Sequence, residues 1–313
     1  KIIHDFNSQE LSNTVYAYAK ANYDSRIVFK EVEKQIPKKL VGFNSENLAN
    51  IVYAYAKANY DSTSVFKVIE NQIPKKINDF NSQNLANTVW AFATSNYDSP
   101  IVFEEVYKQI AIKISLFNSQ ELSNIIWAFA IIADSQKLYN IIQLTGYGIS
   151  KIKVMIQEHK FQYYQALLEL KTSKNNLTTN EDEKRLNEAL ALYKPFFANN
   201  IYNSSKLHMN VSRVLQAMGY DHQDEYITNE GYAVDIRIEG IWEDLNGSKK
   251  QLCIEVDGPS HYYSNSRRVN ASTLMKHRHL RAFGWHVISI PYWECKTEKT
   301  ILGYLNSEIH KLE

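Results

Sequence analysis

Apolar positions along the first 135 residues follow two nested periods. The dipeptide Phe-Asn recurs at Phe6, Phe43, Phe80 and Phe117, always 37 residues apart. Inside each copy, apolar residues fall on one helical face: Leu11, Val15, Tyr18 and Ala19 in the first, Leu122, Ile126, Phe129 and Ala130 in the last. A second apolar stripe follows, Phe29, Val32 and Ile36, matched by Phe66, Ile69 and Ile73 and by Phe103, Val106 and Ile110. Each copy is therefore predicted to be a pair of helices. Asn7 or Ser8 can cap the first helix, and Glu10 is placed for a capping box. The second helix is predicted to begin after Asp24-Ser25, because the third copy has Pro100 behind Ser99 and proline suits the first helical position. Pro37 and Pro74 are expected near its end. One such hairpin cannot bury its apolar side alone, so the copies are expected to stack as an α-solenoid over 1–135.

The period breaks at Gln136. Helical spacing continues over 138–144 and 149–170, a polar stretch at 171–183 reads as a loop, and 183–197 reads as a helix ending near Pro195. The segment 136–203 is expected to be a degenerate helical cap and linker. From 204 to 313 the pattern changes to helix (204–219), strands (225–228 and 232–238), a turn-rich connection (240–250), a strand (252–257), a helix (270–283), a strand (287–290) and a last helix (299–312). This predicts a small α/β domain in the order α-β-β-β-α-β-α. The chain opens on KIIHDFNSQ, which parallels KKINDFNSQ at 75–83, so it is expected to begin inside a repeat, with further sequence upstream.

Charge changes the picture locally. The net charge is +1, which excludes a general polyanion-binding surface. Residues 1–135 hold thirteen lysines and arginines against fourteen aspartates and glutamates, so the solenoid is near neutral. No acid occurs from Gly258 to Trp293, where Arg267, Arg268, Lys276, Arg278 and Arg281 are joined by His261, His277, His279 and His286. Tyr262, Tyr263, Tyr292 and Trp293 are interleaved with them. Cations and aromatic faces suit phosphates and stacked bases. The same composition also fits a solvated basic helix beside core aromatics. Two cysteines without metal spacing suggest neither a disulfide framework nor a zinc site, and the longest apolar run, nine residues at 125–133, is too short for a bilayer.

Asn13, Asn50, Asn87 and Asn124 occupy one mid-helix position of the repeat, and Tyr16, Tyr53, Trp90 and Trp127 follow three residues on. Asparagine disfavours a helix interior because its amide competes for backbone bonds. Apolar flanks favour an amide buried against the next hairpin. The other reading is contact with RNA base edges, one per repeat.

EVDGPSH at 255–261, the spaced S-T-L-x-K-x-R-x-L at 272–280 and the closing GW-V-I-S-I-PYWE at 284–294 together resemble the RAP domain, an RNA-binding domain. The resemblance extends to LHMNVSRVLQAMGY at 207–220 and GYAVDIRI at 231–238. The repeats are similar to heptatricopeptide or octatricopeptide-type repeats, an arrangement shared with FAST kinase-like proteins. The resemblance implies a fold like a reduced PD-(D/E)xK nuclease of the very-short-patch-repair type. It implies organellar RNA metabolism, in the mitochondrion with the plastid as alternative, and a role with mitochondrial rRNA or the mitoribosome. RNA contact is expected from His261, Tyr262, Tyr263, Arg267, Arg268, Lys276, Arg278 and Arg281, and protein neighbours are expected along the repeats.

A nuclease needs carboxylates converging on a metal ion. Asp235, Glu255 and Asp257 are the candidates, since residues two apart in a strand share a face, with Mg²⁺ or Mn²⁺ as the cofactor of an active enzyme. The motif lysine is replaced by Asp257, and Lys276 can substitute from the helix. The missing lysine favours a binding protein without cofactor or metal over an endoribonuclease. The bland alternatives pair Asp235 with Arg237 or a helix cation and give Glu255 backbone amides to accept. A protein-docking scaffold is the third reading.

Overall fold

In the computed structural model the chain is described at residues 2–146, 156–173, 179–198, 205–243, 247 and 249–312. It divides into two compact units, Lys1–Leu190 with Tyr263–Ser272, and Ala191–Tyr262 with Thr273–Glu313. The division thus falls inside a helix rather than at 135 or 203, and a ten-residue stretch of the basic segment groups with the repeats.

The first unit is built from helices α1 (Ser8–Lys20), α2 (Arg26–Lys39), α3 (Ser45–Lys57), α4 (Thr63–Glu70), α5 (Ile73–Lys76), α6 (Ser82–Thr94), α7 (Pro100–Lys113), α8 (Ser119–Ile131), α9 (Ser135–Leu144), α10 (Gln157–Thr172) and the first part of α11 (Asn180–Ala198). Helices α1, α3, α6, α8 and α10 pack side by side as one layer, and α2, α4, α5, α7 and α9 form a second. Asn7 caps α1, with both reciprocal bonds to Glu10 at 2.9 Å. Asn118 and Glu121 repeat that arrangement at α8, while Asn47 and Asn84 stand in for the glutamate in the middle copies. Asn22, Asn59 and Asn96 take positive φ of about 50° just past α1, α3 and α6, where asparagine is tolerated as a left-handed stop. Between the layers, Phe29, Phe66 and Phe103 each meet a ring of the next copy edge-on: Tyr55, Phe92 and Phe129. Such pairs add to the area they bury.

Pro37 lies near the end of α2 and Pro195 near the end of α11, as expected, whereas Pro74 departs from expectation: α4 stops at Glu70 and Pro74 opens the separate turn of α5. Of the expected helix 149–170, residues 149–155 lie outside the described residues, as do 174–178 of the expected loop.

The second unit holds α12 (Lys206–Ala217), β1 (His222–Ile227), β2 (Ala233–Glu243), β3 (Lys249–Asp257), α13 (Ala271–Ala282), β4 (Trp285–Pro291) and α14 (Glu298–Ile309). The sheet order is β1-β2-β3-β4; β1, β2 and β3 run antiparallel, and β4 lies parallel to β3 with Ile254 opposite Ile288. Strand β2 continues to Glu243 through a register shift between Ile238 and Trp242. Gly240 sits in that irregularity with φ of 106°, a conformation that suits a residue without Cβ. This is why the turn-rich stretch from 240 reads as a connection in sequence and pairs as a strand. Gly284, with φ of 90°, ends α13 and starts β4.

Strand alternation separates two environments. Leu252, Ile254 and Val256 join Val211, Leu215, Ile301 and Leu305 in a core against α12 and α14. Cys253, Glu255 and Asp257 point the other way.

Candidate functional site

Two places carry the residues singled out by sequence. The first is the polar side of β3. Glu255 is 1% exposed, and its Oε2 accepts a 2.6 Å bond from Lys276 Nζ on α13. Burial pushes the Glu255 carboxyl up to about 8, against the pull of the Lys276 ammonium. Burial pulls the Lys276 amine down, but the charges of Glu255 and Asp235 outweigh it and hold the amine above its ordinary value. Asp257 is fully buried and raised by burial, opposed by the Ser289 hydroxyl that donates to its Oδ2. His261 Nδ1 lies 3.0 Å from Asp257 Oδ1 and is hydrogen-bonded to Thr273 Oγ1, also at 3.0 Å.

The expected trio of acids does not converge as one group among the described residues. Asp235 Oδ2 instead accepts the backbone N–H of Val256 at 2.6 Å. The bland alternatives are thus exchanged: Asp235 takes the amide, and Glu255 takes the helix cation. The group that does converge is Glu255, Asp257 and His277, one ligand atom from each lying within 4.8 Å of the others. His277 is 5% exposed, and burial, with Lys276 and Arg281 nearby, lowers its imidazole to about 3. Sequence reasoning counted it among the cations. Its place next to Lys276, one turn past Thr273, was the available signal. His279 is likewise buried, with Nδ1 2.7 Å from the Tyr232 hydroxyl.

The expected cationic ridge is thinner than its composition suggests. Lys276 is paired with Glu255. Arg268, grouped with the repeats, reaches Asp61 at 3.0 Å and the Ser95 carbonyl at 2.6 Å, and its guanidinium lies 4.6 Å from the Tyr263 ring centroid. Its stretch is held further by Asn265, which accepts from the Asp61 N–H at 2.7 Å, and by Ser264, whose N–H donates to the Asn59 carbonyl at 2.8 Å. Tyr263 is 3% exposed, and its hydroxyl donates to the Thr94 carbonyl at 2.9 Å. Tyr262 is 4% exposed against Trp293, ring centroids 4.7 Å apart. Neither ring offers a face to a base, so both tyrosines are core residues here. Arg267 and Arg281 are exposed and Arg278 is half-buried.

The second place is a groove of about 380 Å³ along α1, α3, α6, α8 and α10. Tyr16, Tyr53 and Trp90 line it as a ladder, with successive ring centroids 5.7 and 5.3 Å apart. Lys20 Nζ lies 5.5 Å from the centroids of both tyrosines, and Lys57 adds a second cation. The ladder stops at Trp90, because Trp127 is buried and donates to Gln165 Oε1 at 3.1 Å. Asn87 and Asn124 also line the groove. The favoured expectation for the repeated asparagines, an amide bonded to the next hairpin, is not what forms. Adjacent helices dock through Ser12 on the Asn47 carbonyl and Ser123 on the His159 carbonyl instead. Asn87 and Asn124 are thus on the groove wall, whereas Asn13 and Asn50 do not line it.

The structure thus defines a protein of stacked helical hairpins followed by a four-stranded α/β unit with a buried ionic cluster. Residues 254–301 match the RAP domain family. It is 26% identical over 147 residues to a RAP domain-containing protein, chloroplastic, of Oryza sativa subsp. japonica, covering 47% of this chain and 19% of that protein. It is 32% identical over 63 residues to FAST kinase domain-containing protein 3, mitochondrial, of Homo sapiens, covering 19% of this chain and 10% of the relative. The Bos taurus protein of the same name is 28% identical over 86 residues, 26% of this chain and 12% of its own length. The chain therefore spans at most about a fifth of the length of these relatives. The RAP domain is generally RNA-binding. Among the described residues no helix is long and apolar enough to cross a membrane.

Proposed function

We propose that this chain binds RNA in an organelle, the mitochondrion first and the plastid second, and that single-stranded RNA lies along the groove of the repeats. The observation that carries this reading is the ladder of Tyr16, Tyr53 and Trp90 beside Lys20, with the amides of Asn87 and Asn124 on the same groove. Aromatic faces stack bases without regard to sequence, and amides in register can read base edges. The near-neutral charge of the repeats limits the number of phosphates gripped there. Arg267 in the first unit, and Arg278 and Arg281 in the second, are the cations we assign to phosphate contact on their own units. Mitochondrial rRNA is the RNA class we propose, with the chain as a mitoribosome component or an rRNA stability or processing factor; the relatives' named compartments support the organelle.

The test is fluorescence anisotropy with labelled 12-residue single-stranded RNAs across a salt series. Replacing Trp90 or Tyr53 by alanine should weaken binding by about fivefold or more, from stacking worth about 1–3 kcal/mol per base. Binding indifferent to both substitutions refutes the groove. No binding to any RNA, with retained capture of ribosomal protein, leaves the docking scaffold as the function.

A second reading, a PD-(D/E)xK-like endoribonuclease, is favoured by the Lys276 ammonium on Glu255. Its expected trio fits a catalytic Mg²⁺ or Mn²⁺ poorly, because Asp235 is bound to the β3 backbone and Glu255 and Asp257 are closed to solvent. Cleavage of labelled RNA lost on Glu255→Ala would establish it.

A further inference from the structure

We propose that Glu255, Asp257 and His277 hold a divalent transition-metal ion inside the α/β unit. Each has a ligand atom within 4.8 Å of the other two. Metal bonds of about 2.0–2.2 Å place neighbouring ligand atoms on the order of 3–4.4 Å apart, so the group needs only slight contraction around an ion.

An independent observation comes from the hydrogen bonds. Glu255 Oε1, Asp257 Oδ1 and His277 Nε2 are all buried without a hydrogen-bond partner. Buried polar atoms are seldom left so, and three in one place call for an explanation. The two carboxylates share a pattern. In each, one oxygen is held by the protein, Glu255 Oε2 by Lys276 and Asp257 Oδ2 by Ser289, and the other is left over. That is how supporting donors orient carboxylate ligands. His261 Nδ1 approaches Asp257 Oδ1 at 3.0 Å, yet its hydrogen bond runs to Thr273. Charge agrees in sign: two buried carboxylates face the single ammonium of Lys276, and the excess negative charge favours a cation.

The donor set selects the ion. Two carboxylates and an imidazole suit Zn²⁺ or Mn²⁺, whereas Mg²⁺ prefers oxygen alone. The site differs from the three-acid set expected from sequence by the exchange of Asp235 for His277. The other converging group, His208, Glu225 and Asp235, carries no such inference, since His208 is already bonded at 2.9 and 3.3 Å to Asp224 and Glu225. The proposal stands apart from RNA binding and implies no cleavage.

The test uses the 313-residue chain, freed of metal with a chelator and equilibrated with Mn²⁺ or Co²⁺. We expect one ion per chain by calorimetry and, in the Mn²⁺ form, electron spin-echo modulation from one directly bound imidazole nitrogen. His277→Gln should weaken binding by about tenfold or more, while Asp235→Asn changes it less than about twofold. Mn²⁺ remaining as the free aquo ion overturns the proposal, as does a bound ion without nitrogen modulation. Binding lost in Asp235→Asn and kept in His277→Gln overturns it too. The nitrogen signal is read on the unsubstituted protein, so a misfolded variant cannot decide the matter.

Discussion

Replacing Lys276 by methionine isolates the buried ion pair. The pair is 2.6 Å long, with Glu255 at 1% and the Lys276 side chain at 21% exposure, so little water reaches it. Losing the ammonium strands a carboxylate whose Oε1 is already without a partner. Breaking a buried pair from one side costs about 3–5 kcal/mol. Protonation of Glu255, whose carboxyl is already pushed up to about 8, caps the cost near neutral pH at the lower end. A domain of roughly one hundred residues loses about 4 °C in Tm per kcal/mol. Lys276→Met should therefore melt the α/β unit on the order of 12 °C lower. The double variant Lys276→Met with Glu255→Met removes both charges, and matched apolar replacements are often neutral or stabilising. It should regain most of the loss. Melting followed by tryptophan fluorescence reports this unit through Trp242, Trp285 and Trp293, three of the five tryptophans. The measurement is made with chelator present. A single variant within about 2 °C of the parent, or a double variant as unstable as the single, would refute the reasoning.

Tyr55→Phe removes the hydroxyl that donates to the Phe29 carbonyl at 2.7 Å, and should cost the repeat unit about 1–2 kcal/mol by denaturant unfolding. Asn96→Gly should be neutral or slightly stabilising at its φ of 46°, whereas Asn96→Val should cost about 1–2 kcal/mol, read by circular dichroism melts. Arg268→Ala breaks the contacts to Asp61 and Ser95, so amide exchange at 264–268 should quicken while the salt dependence of RNA binding stays put. A flattened salt slope in that variant would return Arg268 to the RNA surface.

The repeats were legible because four copies place the same apolar residues 37 apart, and because Pro100 fixes where a second helix starts. Pro74 misled because the second helix of its copy stops at Glu70 and the proline opens a separate turn. The asparagines at 22, 59 and 96 also carried a readable signal, a residue tolerant of positive φ closing each first helix. The polar side of β3 was legible from the alternation of Glu255 and Asp257, and Lys276 was placed near them. The partners of the basic segment were not. Arg268 and Asp61 lie 207 positions apart, and no local pattern couples them. Burial likewise turned His277 from a counted cation into a neutral imidazole.

RNA is expected on the aromatic ladder of the repeats. The most direct measurement is photocrosslinking of 4-thiouridine-labelled single-stranded RNA to the intact chain, with crosslinked residues mapped by mass spectrometry. Crosslinks are expected at Tyr16, Tyr53 and Trp90. Crosslinks confined to other surfaces, with the peptides holding these three residues recovered unmodified, would contradict it.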